Sequence, residues 1–219
     1  TMGESGGRGP VIDISPPLTP EIAVFPGDTP LSREVLLDFS RGDSLTLSTL
    51  HGTVHLGAHV DAPLHYAQSG ASIDQLPLEL FVGRCRVIRT PATQRARVSW
   101  EAVSKSLDDA EPTERLLLAT GSYPDPTRIE DGFAALDPEA VRRLGAKGVR
   151  LLGVDAPSVD PADSKDLPAH EACRETGITI LEGLALDRVP DGLYELIALP
   201  LRLVGFEASP VRAVLRPIS

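Results

Sequence analysis

Three of the chain's five histidines and one aspartate fall within eleven residues, HLGAHVDAPLH (55–65). His55, His59, Asp61 and His65 all occupy odd positions, so an extended chain would point them to one face. Imidazole nitrogens and a carboxylate oxygen suit Zn²⁺ or Mn²⁺, and a His/His/Asp trio leaves coordination positions for water. A regular helix cannot carry them. Gly57 and Pro63 interrupt it, and Asp61 would rotate away from a His55/His59 stripe. A straight strand fails too, because at roughly 3.3 Å per residue His55 and His65 would end about 33 Å apart. The chain must bend, and Gly57 and the Asp61-Ala62-Pro63 step are where it can. His51 shares the parity but lies outside the tight spacing and fits the cluster less well.

If Asp61 bridges two ions, a second half-site needs further donors. The one histidine left is His170, which opens the helix-like PAHEACRET (168–176) ahead of Gly177. Glu182 follows the strand-like run ITIL. With a rise of ~1.5 Å per residue, the helix runs about 10 Å beyond His170 before Gly177 reverses the chain. The returning strand can then set Glu182 beside His170, so that both meet one ion. A helix-capping histidine and a solvated glutamate are the alternative. Ser158 and Asp160, in DAPSVD, read as turn residues after a strand.

The elements that must position these residues are short and many. VIDIS (11–15), SLTLSTL (44–50), RCRVIRT (84–90), RLLLAT (115–120), GVRLLGVD (148–155), ITILEG (178–183), YELIALPL (194–201) and VRAVLR (211–216) read as strands. Ser99 can cap a helix over 100–107. Asp137 with Pro138 opens another, stopped by Gly145 or Gly148. Strands interleaved with a few helices predict an α/β domain around a mixed sheet. One domain over 11–219 is expected, after a flexible leader at 1–10 that has no apolar core of a signal peptide.

Composition narrows the partners. Lys and Arg total 21 against 31 Asp and Glu, a formal charge of −10, and the basic residues are scattered. That surface disfavours nucleic acid and anionic membranes as partners. No apolar run nears the ~18 residues of a membrane span. Cys85 and Cys173 stand outside any CxxC spacing and are expected to be reduced and buried, as in a cytoplasmic protein. No G-x-S-x-G lies between a strand and a helix, so serine hydrolase chemistry finds little support. The nearest match, GESGG at 3–7, falls in the leader.

HLGAHVDAPLH closely resembles the H-x-G-[TA]-H-x-D-x-P-x-H signature of the metal-dependent cyclase-like hydrolases. Over nearly the whole chain after residue 10 the likeness is to their kynurenine formamidase branch. IDISPPLTPEIAVFPGDTP is similar to that family's opening strand and loop. DAPSVDPADSKDLPAHEACRETGITILEGL is similar to the segment carrying the second metal's ligands. YELIALPLRLVGFEASPVRAVLR is similar to the formamidase C-terminal strands.

The resemblance implies a swivelling β/β/α fold in homodimers or higher oligomers. It implies two zinc ions per subunit, one on His55, His59 and Asp61, the other on Asp61, His170 and Glu182, with contact of Glu182 to both ions as an alternative. It makes His65 the catalytic acid/base. Phe25 falls where formamidases carry a substrate-packing tryptophan, and Ala58 replaces the commoner threonine without a ligand role. The implied reaction is hydrolysis of N-formyl-L-kynurenine to L-kynurenine and formate, as in tryptophan degradation. Rival readings are a related amide hydrolase, such as one opening isatin, and a metal-dependent binding protein without catalysis. A binding protein has no need of a proton donor at residue 65.

Overall fold

A computed structural model of the chain describes residues 9–107, 110, 113–129 and 132–218. Residues 1–8 of the expected leader therefore lie outside the described residues. In chain order the strands are β1 (Ile12–Asp13), β2 (Ser32–Leu37), β3 (Leu47–His51), β4 (His59–Asp61), β5 (Val82–Arg89), β6 (Arg97–Val98) and β7 (Arg115–Ala119). They continue as β8 (Ala135–Leu136), β9 (Leu151–Val154), β10 (Thr179–Glu182), β11 (Gly192–Ile197), β12 (Ala208–Pro210) and β13 (Val214–Pro217). Among the described residues three α-helices are interleaved: α1 (Trp100–Leu107), α2 (Pro138–Ala146) and α3 (Pro168–Thr176).

One large curled sheet dominates, in the order β1-β13-β11-β5-β7-β9-β10-β4-β12. Its centre, β5-β7-β9-β10, is parallel and its flanks are antiparallel, so the expected mixed α/β architecture is what forms. Parallel strands are covered on both faces, which is why RLLLA, LLGV and TILE are buried at every position. Leu116, Leu118, Leu152, Val154 and Ile180 turn to the helix-covered face, with Val103, Val141 and Cys173. Leu117, Leu151 and Leu181 turn the other way, onto Phe81, Val87 and Leu196.

The helices obey their local signals. Ser99 Oγ accepts the Ala102 amide at 3.3 Å, and Asp137 Oδ1 accepts that of Glu139 at 2.8 Å. Gly148 (φ +88°) follows the end of α2, and Gly177 (φ +69°) closes α3 in the left-handed conformation. Cys85 and Cys173 are buried free thiols, as expected. Several elements went unread: β6, β8 and β12 are strands of two or three residues, too short to show a period, and SREVLL pairs with β3 as an exposed two-stranded ribbon outside the main sheet, because its residues neither alternate nor reach a core.

The register of β4 decides where the chemistry sits. His59 lies opposite Glu182 and Asp61 opposite Ile180 across the β4–β10 pair. Residues directly opposite share a face of the sheet, so His59, Asp61 and Glu182 join Ile180 on the helix-covered side. The same side carries α3 and, at its third position, His170.

Candidate metal centre

The bend anticipated at Gly57 is present, with φ +57°. A side chain there would come within 2.5 Å of Leu18. Gly183 (φ +69°), just after Glu182, packs backbone on backbone against Gly57; a Cβ at 183 would lie 2.1 Å from the Gly57 carbonyl oxygen. That carbonyl is in use, since His59 Nδ1 sits 2.8 Å from it. The second bend follows Asp61: Ala62 is extended and Pro63–His65 forms a single 3₁₀ turn. Together the bends bring the His55 and His65 rings to 4.2 Å between centroids.

Asp61 is the centre of the cluster. His55 Nδ1 is 3.1 Å and His59 Nε2 3.4 Å from its Oδ1, and His170 Nε2 is 3.5 Å from Oδ2. Glu182 closes the ring, with Oε2 3.2 Å from His59 Nε2 and Oε1 3.8 Å from His170 Nε2. Helix α3 and strand β10 thus converge on β4, as the helix–strand return requires. The expected ion groups paired His55 with His59 and His170 with Glu182. Among the described residues, the groups whose donor atoms all lie within 4.8 Å are His55–Asp61–His65 and His59–Asp61–Glu182. Asp61 is common to both divisions. His51 is elsewhere, on the exposed ribbon and 3.3 Å from Glu34.

Three features of the cluster fit a divalent cation. Both Asp61 oxygens are buried without a hydrogen-bond partner; the imidazole nitrogens near them are close but not aligned to donate. Buried carboxylate oxygens left this way are costly unless a cation meets them. Next, His59 gives Nδ1 to the Gly57 carbonyl and His170 gives Nδ1 to Asp160 Oδ2, each at 2.8 Å. This is the outer-sphere arrangement that leaves Nε2 as a ligand. Finally, the donors are imidazole nitrogen and carboxylate oxygen, the set preferred by Zn²⁺ and accepted by Mn²⁺.

The electrostatics agree. Burial disfavours charge on His59, yet Glu182 and Asp61 outweigh it and raise its pKa to about 9. His170 is likewise lifted to about 10, against burial, by Asp160 and Asp61. Burial would raise Asp61, but His170, His55 and His59 hold it well below the carboxylate range. Glu182 is pushed up by burial and by Asp61's charge. Two carboxylates held this close call for positive charge between them, supplied by imidazolium protons or by a metal. His65, whose ring opens to solvent, is shifted down by loss of water around it, against Asp61's pull. It is therefore neutral at pH 7.

Two cavities adjoin the cluster and share Phe25, His55, His59 and Pro157 as a common wall. The one over the donors, about 250 Å³, also touches His65, His170 and Glu182. The other, about 210 Å³, is walled by Ile22, Val24, Tyr123, Ile129 and Leu184, with carboxylates of Asp155 and Asp187 at its edge. No lysine or arginine lines either cavity among the described residues.

Sequence reasoning missed Asp160. Read as a turn residue, it is instead fully buried, orients His170, and accepts the amides of Ala169 and His170 at the start of α3. It acts from eight residues before Pro168, where no capping pattern would look for it. Glu182 likewise does more than face the cluster, for its Oε1 accepts the Val159 amide at 2.7 Å.

Comparison with known proteins places the fold. A structure described as a potential metal-dependent hydrolase with cyclase activity shares 27% identity, covering 96% of this chain and 98% of that one, with a TM-score of 0.81. A predicted metal-dependent hydrolase from Bacillus stearothermophilus shares 28% identity over 94% and 98%, with a TM-score of 0.76. Isatin hydrolase A from Labrenzia aggregata, at 23% identity over 96% and 94% and a TM-score of 0.82, shares the fold. The Cyclase family model matches residues 12–161, from the first strand through Pro161, and the chain belongs to that family.

Proposed function

We propose that the chain is a metal-dependent amide hydrolase of the arylformamidase type, converting N-formyl-L-kynurenine and water to L-kynurenine and formate. One observation carries the hydrolase reading: the buried Asp61 carboxylate, free of hydrogen bonds and ringed by His55, His59, His170 and Glu182, with neutral His65 on the open side. Asp61, His55, His59, His170 and Glu182 would hold two zinc ions, manganese being the alternative. Bound there, the metal would supply a water activated at neutral pH and polarise the scissile carbonyl.

The chain's own residues do the rest. His65, neutral at pH 7, can take a proton as water adds to the formyl carbon. It returns that proton to the aniline nitrogen as the C–N bond breaks, so water's OH ends on formate and its hydrogen on the amine. His59 and His170 are kept in one tautomer by Gly57 and Asp160. Phe25 offers an aromatic face between the two cavities.

A second substrate, a cyclic aryl amide such as isatin, is favoured by the cavity chemistry. The α-carboxylate of kynurenine would call for a cation, and among the described residues no lysine or arginine lines either cavity. Assaying N-formyl-L-kynurenine and isatin with the metal-loaded protein separates the two. Turnover of either that stops on chelation and returns with zinc or manganese supports the hydrolase. Full loading with no turnover of any aryl amide would leave only a binding protein. A homodimer is proposed with this reading, supported by exposed Leu36, Leu47, Leu50 and Phe39 on and beside the β2–β3 ribbon, and tested by sedimentation. A cytoplasmic location is proposed from the free buried thiols.

A further inference from the structure

His59 and His170 each rest Nδ1 against an oxygen 2.8 Å away and present Nε2 to the carboxylates. His55 is turned the other way. Its Nδ1 faces Asp61, and its Nε2 faces Glu207, whose Oε1 is 3.7 Å distant. Glu207 is firmly rooted at this point. Its carbonyl accepts the Ala62 amide at 2.8 Å, and its neighbour Ala208 lies opposite Asp61 in the β4–β12 pair. Its backbone is thereby fixed to the strand carrying Asp61, while its side chain, 40% exposed, meets His55 from the solvent side. A carboxylate on one imidazole nitrogen keeps the proton there and frees the lone pair of the other.

We infer that Glu207 is a positioning residue for the outer ligand, holding the His55 proton on Nε2 so that Nδ1 is offered to a metal at Asp61. The inference rests on the metal-dependent reading above. A gap of 3.7 Å is too long for a direct hydrogen bond, so the contact works by charge attraction or through one bridging water. A contact this open to solvent adds little to folding stability. Its loss should therefore change metal binding and leave the fold intact.

The test compares the full chain with Glu207→Gln and Glu207→Ala. Zn²⁺ is titrated into metal-free protein at pH 7 against a chelating indicator, and histidine-ring ¹H–¹⁵N spectra report the His55 tautomer. The expected result is one zinc affinity weakened about tenfold or more, within the range for outer-sphere partners, and the other unchanged. His55 should also leave the Nε2–H form, with the melting midpoint of the metal-free protein unmoved. Unaltered affinities and tautomer would overturn the inference alone. So would a lowered midpoint with unaltered affinities, which would make Glu207 merely structural. No zinc uptake by the unmutated chain would overturn the metal reading and the inference together.

Discussion

On the inner side of Asp61, every donor is held twice. His59 is tied to the Gly57 carbonyl, His170 to Asp160, and Glu182 to the Val159 amide, at 2.7–2.8 Å. All three side chains are buried. On the outer side, His55 is partly open with Glu207 behind it, while His65 sits on a single 3₁₀ turn with its ring against those of His55 and His170. The inner half has the fixed geometry that holds an ion. The outer half has the exposure that admits water and a substrate, and the neutral imidazole that can exchange a proton. One carboxylate, Asp61, belongs to both.

That contrast is broken most completely at its shared member. Asp61→Asn keeps the shape and removes the charge, so both ions should be lost and hydrolysis should fall to background; elemental analysis of the purified variant checks this. Next in size, His65→Ala should slow turnover by ~10²–10⁴-fold while metal content persists. Metal loss instead would make His65 a ligand, as its place in the His55–Asp61–His65 group allows, and an unchanged rate with full metal would refute its proton role. Asp160→Asn should weaken metal binding by ~10–100-fold, by releasing His170 from its orienting partner, and competition titration with a chelator measures it.

How much of this could be read from the chain follows from distance along it. The donors in 55–65, the two bends between them, and the boundaries of α3 are local. Spacing, a glycine in the left-handed conformation and a proline write them directly into eleven and nine residues. The convergence of His170 and Glu182 was legible because a short helix and a reversing glycine connect them. Asp160 and Glu207 were not, since each meets its histidine through tertiary packing that leaves no periodicity. The close approach of Gly183 to Gly57 was equally silent, although it secures the oxygen that orients His59. Sequence similarity also suggested how five ligands divide between two ions, whereas Asp61 faces all three histidines and fits either division.

The smallest expected effect concerns pH. The pKa values of about 9 for His59 and about 10 for His170 lie above the ordinary 6.5. In metal-free protein the imidazolium forms therefore contribute stability that is fully present below about pH 6.5 and is lost as pH rises through 9 to 10. The melting midpoint of chelated protein should fall across that window, and that of loaded protein should fall less. Loading at pH 7 should release about two protons per chain, measurable by titration in weak buffer. No release would mean the histidines were already neutral.

The most direct measurement is an anomalous-scattering map from crystals grown with zinc. The account predicts two peaks that share Asp61, each about 2.0–2.2 Å from its oxygen and nitrogen ligands, with His59, His170 and Glu182 on the inner side. A map with no peak touching Asp61 would contradict it.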